Sequence, residues 1–104
     1  MDKERAAQIA NLNDKFRKSF KNTVMTPGVM YLDNVLGLAG KVQNFVGFTE
    51  DNDPYGEHDF GSFDWKGNRI FWKIDYFDQS LKYGEDPLSE KCRRVMTIML
   101  ASEY

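Results

Sequence analysis

Apolar positions recur at helical spacing at the start of the chain and at strand spacing further on. Ile9, Leu12, Phe16 and Phe20 lie three and four residues apart, which predicts an amphipathic helix over residues 2 to about 21. Thr23 to Thr26 is β-branched and stops at Pro27-Gly28, the signature of a short strand ending in a turn. Asp33 is placed to cap a second helix reaching about Phe45, with Val35, Leu36, Ala39, Val42, Phe45 and Val46 at helical spacing. Gly37 and Gly40 weaken that helix by about 1 kcal/mol each, although two glycines three apart also permit close packing against another element. Residues 48–59, with Pro54 and Gly56, form a polar loop. Two alternating aromatic runs, Phe60–Trp65 and Arg69–Phe77, then flank Lys66-Gly67-Asn68 and predict a hairpin. Phe63 and Trp65 share one face of its first strand, and Ile70, Trp72, Ile74 and Tyr76 share one face of its second. The other face of the second strand mixes Phe71 and Phe77 with Lys73 and Asp75, so it is only half covered.

Beyond a polar connection, Pro87 and the preceding acids suit a helix start. Leu88, Cys92, Val95, Met96, Met99 and Leu100 mark the apolar face of a third helix running to Ser102. The expected fold is therefore α+β. A small antiparallel sheet, made of the hairpin over about 60–77 and a short strand at 23–26, packs against about three helices in a single domain, 1–104.

Composition narrows the function. Fifteen aromatic residues among 104 are expected to build a folded core, because large rings carry much of the burial in so short a chain. A net charge of -2 disfavours direct nucleic-acid contact, although the first helix carries Lys3, Arg5, Lys15, Arg17, Lys18 and Lys21 against three acids. Charges interrupt every apolar run, so neither a membrane span nor a secretory leader is expected. The single Cys92 allows no internal disulfide, and a reducing cytoplasm is the expected compartment.

The charge distribution is the most distinctive feature. From Val42 to Trp65 there is no Lys or Arg, but there are six acids: Glu50, Asp51, Asp53, Glu57, Asp59 and Asp64. One reading is a cation site. Asp51, Asp53 and Gly56 fall at positions one, three and six of a calcium loop, yet Tyr55 and Ser62 stand where further ligands are required. A mixed nitrogen and oxygen set from Asp53, His58, Asp59 and Asp75 is the corresponding alternative. A catalytic reading makes His58 a base oriented by Asp75 or Asp59, with Cys92 as nucleophile, but no spacing demands it. Asp59-Phe60-Gly61 matches a kinase tripeptide without the rest of that signature, so the match is coincidental. A third reading is a protein-binding surface, in which acids steer a basic partner and exposed Tyr55, Phe60 and Trp65 anchor it. Against all three stands a structural role: the acids cap the turns of the loop and His58 makes one hydrogen bond.

The run Phe48-Thr-Glu-Asp-Asn-Asp-Pro-Tyr-Gly-Glu-His-Asp-Phe-Gly61 resembles the central signature of a family of short bacterial proteins known only as a domain of unknown function. The resemblance continues through Phe71–Tyr76 and Arg94–Ala101, and takes in Leu12-Asn13-Asp14 and Thr26–Val29. It implies no activity, cofactor or catalytic residue. It does imply a setting among plasmid and other mobile-element genes, where small acidic proteins include anti-CRISPR and anti-restriction factors that inhibit by binding. The expectation is a non-enzymatic binding protein that needs no cofactor. Its surface is Glu50, Asp51, Asp53, Tyr55, Glu57, Asp59 and Trp65, and its partner is a basic protein or a nucleic-acid-binding complex.

Overall fold

A computed structural model describes residues 2–104. The elements are α1 (Lys3–Ser19), β1 (Thr23–Met25), α2 (Pro27–Met30), α3 (Val35–Gln43), β2 (Phe60–Trp65), β3 (Asn68–Phe77) and β4 (Arg93–Leu100), followed by a 3-10 turn at Ala101–Glu103. The strands form one sheet in the order β1-β4-β3-β2. β2, β3 and β4 pair antiparallel, whereas β1 joins β4 in parallel, so the expected antiparallel sheet is mixed at one edge. The fold is α+β, with a small sheet packed against helices. No helix among the described residues is long and apolar enough to cross a membrane.

α1 starts where Asp2 accepts hydrogen bonds from the Glu4 and Arg5 N–H groups, and it ends on Phe20 in the left-handed region. Its buried stripe is Ala6, Ile9, Ala10, Asn13 and Arg17. The helix is therefore rotated from the expected Ile9-Leu12-Phe16-Phe20 face, and Leu12 is 41% exposed. Two polar residues won the inward positions because partners on other elements satisfy them. α3 is capped one residue later than expected: Asn34, not Asp33, accepts from the Gly37 N–H at 3.1 Å. The hairpin turn is tighter than read, with Lys66 and Gly67 alone at its corner. Both have positive φ, as a two-residue turn of the right twist requires.

The third helix expected over 88–102 is not there. Its residues form a turn and then β4, lying between β1 and β3. β4 is central in the sheet, and its stretch Val95–Leu100 carries a single polar residue, Thr97, so its spacing also suits a helix. Val95, Thr97 and Ile98, β-branched and in one run, favour the extended form. Asp86 accepts from the Leu88 N–H, closing a turn and not a helix cap. Cys92 thus sits at the mouth of a strand and not on a helical stripe. At the far end Glu103 accepts from the Thr26 hydroxyl, the Gly28 N–H and the Leu100 N–H, which pins the end of the chain against α2.

Val29 of α2, Leu38 and Val42 of α3, and Ile70, Trp72, Ile74, Met96 and Ile98 of the sheet form the core. The Ile70-Trp72-Ile74 face falls where strand alternation puts it. Phe63 and Trp65 pack against the same core from β2. The opposite face carries Phe71, Lys73, Asp75 and Phe77, with Phe60, Phe71 and Tyr104 edge to face and Lys73 paired to Asp75 at 2.8 Å. Trp72 is the largest wholly buried side chain. Its Nε1–H is, among the described residues, the buried side-chain polar atom with no partner.

The indole of Trp72 lies across Gly61, its cross-strand neighbour, so a methyl group there would meet the ring at 2.6 Å and closer. Gly61→Ala is therefore expected to destabilise the chain by about 1–3 kcal/mol through overpacking. At Gly40, where an added Cβ meets nothing within 4 Å, Ala is expected to stabilise α3 by about 0.5–1 kcal/mol. Urea unfolding of the two variants measures both signs.

Candidate functional site

The chain between α3 and β2 has no regular secondary structure, yet side chains hold it at many points. The central one is Arg17, only 2% exposed. Its Nε–H donates to the Val42 carbonyl at 2.9 Å and its Nη2 to the Phe45 carbonyl at 3.1 Å, capping the C-terminal end of α3. Its Nη1 donates to Asp14 at 3.0 Å, one turn back on α1. The guanidinium carbon lies 5.4 Å from the Phe48 ring centre and 5.0 Å from that of Trp72, so two aromatic rings cover the buried cation.

Asp14 also reaches the loop. Its carboxylate oxygens lie 3.0 and 3.2 Å from His58 Nδ1, which assigns the Nδ1–H donor to that contact. His58 Nε2 faces a second carboxylate, Asp53 Oδ2, at 3.8 Å, and the imidazole stacks flat on Phe48 at 3.9 Å. Both ring nitrogens therefore face carboxylates, so His58 works as a strut between α1 and the loop. The orienting acid is Asp14 and not the expected Asp59 or Asp75. Asp53 is buried and accepts from the Glu57 and His58 N–H groups, which fixes the tight turn around Gly56. Upstream, Asn52 accepts from the Thr49 N–H and donates to the Gly47 carbonyl, closing the first half of the loop.

A second network ties the loop's exit. Asn13, fully buried, donates to the Glu57 carbonyl at 2.9 Å and to the Tyr76 hydroxyl at 2.8 Å. Tyr76 donates onward to Asp59 at 3.0 Å, and Arg94 Nε donates to Asn13 Oδ1 at 2.7 Å. Burial raises the Asp59 carboxyl above its ordinary value, opposed by the Tyr76 hydrogen bond and reinforced by Asp53. Glu57 is raised by burial first and then by repulsion from Asp59 and Asp53, with Arg5 opposing. Tyr76 is pushed far upward, chiefly by burial, so its hydroxyl stays a donor. Burial also raises the Cys92 thiol against the pull of Arg94, which leaves little thiolate to act as a nucleophile.

The sequence-predicted site residues divide into two sets. Glu50, Asp51 and Tyr55 stand in solvent, Tyr55 at 59% exposure. Asp53 is buried, and Glu57 and Asp59 are half-buried within the anchoring network. Trp65 and Phe60, expected to be exposed, are half-buried. Trp65 packs on the core and donates its Nε1–H to the Asp33 carbonyl at 3.3 Å, and Phe60 packs on Phe71 and Tyr104. Asp75 is paired to Lys73 on the other face of the sheet, away from Asp53 and His58. No group of three or more His, Cys, Asp or Glu among the described residues is arranged to hold a metal ion. Beside Tyr55 lies an apolar hollow of about 370 Å³, bounded by Lys3, Ala6, Ala7, Glu50 and Pro54. Asn13, Asp14, Arg17 and Phe48 were not read as site residues. Their one signal is positional: Asn13 and Arg17 stand four and eight residues after Ile9, on its own helical face.

Fold and site together define a helix-backed sheet domain that presents a rigid acidic loop. Over residues 25–103 the chain matches the model of a family described as "Protein of unknown function (DUF3768)", and it belongs to that family. The matched span begins after α1, so the expected extension of the likeness to Leu12-Asn13-Asp14 falls outside it. No curated protein and no solved structure matches the chain.

Two outcomes follow. Arg17→Met leaves the carbonyls of Val42 and Phe45 without donors and Asp14 without its cation. It is expected to cost about 3 kcal/mol in urea unfolding, with Arg17→Lys recovering only part. The second concerns pH. Glu57 and Asp59, with raised values, bind protons more tightly folded than unfolded, so stability rises as the pH falls towards the ordinary carboxylate range of about 4. Asp78, Asp86 and Glu103 act the other way. Their values are lowered chiefly by hydrogen bonds from the Ser80 hydroxyl, the Leu88 N–H and the Thr26 hydroxyl, and the stability they contribute is lost below that range. Denaturant midpoints against pH should therefore peak just above the carboxylate range. Asp59→Asn, which keeps an acceptor for Tyr76, should flatten the side of the peak towards neutral pH and leave the acid limb.

Proposed function

We propose that this chain is a binding protein, not an enzyme, and that the loop over residues 49–57 is its docking surface for a basic protein. The observation that carries the reading is the contrast within the loop. Its backbone is held by Asp53, Asn52 and Asn13, with His58 tied to Asp14 just beyond it, while Tyr55, Glu50 and Asp51 are left in solvent. A loop already fixed in one conformation loses little entropy when it binds. An exposed tyrosine beside an apolar hollow is a natural anchor, and the two carboxylates steer positive charge towards it. A lysine or arginine side chain suits this arrangement: its methylenes lie along Tyr55 and Pro54 and its head reaches Glu50.

In its finer form the reading takes the partner to be a nucleic-acid-handling protein, with the carboxylates taking the place of phosphates in a basic channel. A counter-defence inhibitor of a CRISPR or restriction complex would act in this way. Asp53, Glu57 and Asp59 serve mainly to hold the loop.

The test is cross-linking and affinity capture from bacterial extract with three baits: the native chain, Tyr55→Ala, and Glu50→Gln with Asp51→Asn. A basic partner held by the native chain, weakened roughly tenfold or more by Tyr55→Ala and released as salt rises, supports the reading. Equal capture by all three baits, with unchanged melting, overturns it.

A further inference from the structure

The two edges of the sheet are built differently. β1, at one edge, is three residues long, follows closely on Lys21 and runs into Pro27. Short length, a lysine and a proline are devices that keep a sheet edge from pairing with another chain. β2, at the other edge, is six residues long, and over Phe60–Trp65 it has no Lys, no Pro and no bulge in its register with β3. The pair that closes the two-residue turn is Trp65 with Asn68. Strand alternation then has Trp65, Phe63 and Gly61 exchanging hydrogen bonds with β3, while Phe60, Ser62 and Asp64 point their backbone N–H and C=O groups away from it. The Ile74 N–H follows the same alternation and donates to the Asp59 carbonyl. Among the described residues no other backbone group bonds to Phe60, Ser62 or Asp64 on the outward side, and the contact of Asp64 with Arg69 is made by its carboxylate.

Such a row of donors and acceptors is complementary to one thing, an extended chain laid alongside it. β2 is complementary to itself. With a second copy running antiparallel and Ser62 opposite Ser62 on a two-fold axis, Phe60 lies opposite Asp64 and Asp64 opposite Phe60. Every outward group of these residues then has a partner in the other strand, and a shift of the register in either direction leaves part of them unpaired. The one charged residue of the strand does not face its own copy, so no like-charge pair opposes the contact. On the other face of the strand Phe63 comes opposite Gly61 of the second copy, which has no side chain to obstruct it. An apolar hollow of about 560 Å³ borders the same edge, lined by Phe63 of β2 with Gly40, Phe45 and Val46 at the end of α3 and just past it. Val46 is 86% exposed there, and pairing of the two edges withdraws it and Phe63 from water.

From this we propose that β2 is a self-association edge. Two copies of the chain pair antiparallel through Phe60–Asp64 about a two-fold axis at Ser62, which joins their sheets into one continuous sheet. The surface shares no residue with the docking loop over 49–57, so it stands or falls independently of the function proposed above.

Sedimentation equilibrium of the full chain reads the association directly. A monomer–dimer equilibrium is expected, with a dissociation constant of about 100 µM or below. Hydrogen exchange at the Phe60, Ser62 and Asp64 amides should slow as the concentration rises, while exchange in the loop over 49–57 does not change. Ser62→Pro removes the donor on the two-fold axis without removing a bond to β3, and Val46→Asp adds a like charge to each copy beside the paired edges. Each should weaken the association about tenfold with the amide spectrum otherwise native. Should Ser62→Pro fail to fold, Val46→Asp, at a position exposed in the single chain, carries the test. A chain that stays monomeric at about 0.5 mM overturns the proposal and leaves the edge to a strand of a different protein. A dimer that both variants retain unaltered, or one that forms without slowing those three amides, has its interface elsewhere and overturns it as well.

Discussion

A buried arginine sets the terms for the rest of this structure. Taking a guanidinium out of water costs several kcal/mol unless its hydrogen bonds are replaced, and few local arrangements can supply them. Arg17 finds them only where the last carbonyls of α3 point at α1, with Asp14 one turn behind and the edge-to-face rings of Phe48 and Trp72 beside it. Its demands therefore fix how α3 ends, how α1 is rotated and where the following loop begins. They also explain why Leu12 and Phe16, the more hydrophobic choice, do not hold the inward face of α1. Burying Arg17 and Asn13 satisfied leaves Leu12 exposed on the flank and Phe16 half-buried at the margin of the core.

The same interaction makes the loop what it is. Asp14, held by Arg17, presents its carboxylate to His58, and His58 in turn lies between Asp14, Asp53 and the Phe48 ring. A polar segment of this length would ordinarily sample many conformations; this one is tied to α1 at Asn13, Asp14 and Arg17. Three carboxylates are held close together, and burial first, with their mutual repulsion behind it, raises Glu57 and Asp59 above their ordinary values. The buried and half-buried carboxylates hold the loop, while Tyr55, Glu50 and Asp51 stand outside in solvent.

The two ends of α1 consequently differ in character. Near its start lie the acidic loop and the Tyr55 hollow, and near its finish lies a groove bordered by three cations and no acid. A net charge of -2 conceals this division, because the acids cluster in the loop before β2 while Lys21, Arg93 and Arg94 lie elsewhere, and the two signs cancel only in the sum.

Local rules were enough for the amphipathic first helix, the hairpin with its buried Ile70-Trp72-Ile74 face, the polar loop and the α+β class, because each depends on spacing between residues close in the chain. They were not enough for residues 88–102, where the run Val95–Leu100, interrupted only by Thr97, carries no periodicity that separates strand from helix. There the choice was made by the backbone donors and acceptors of β1 and β3, which leave a gap that only a strand can pair. The same division holds in the site. The exposure of Glu50, Asp51 and Tyr55 follows from the polarity of their own segment. The inward turn of Asn13 and Arg17 and the pairing of His58 with Asp14 do not. Each joins residues of different segments, 25 to 44 positions apart, and for charged and polar groups burial is decided by whether a distant partner is present to replace water.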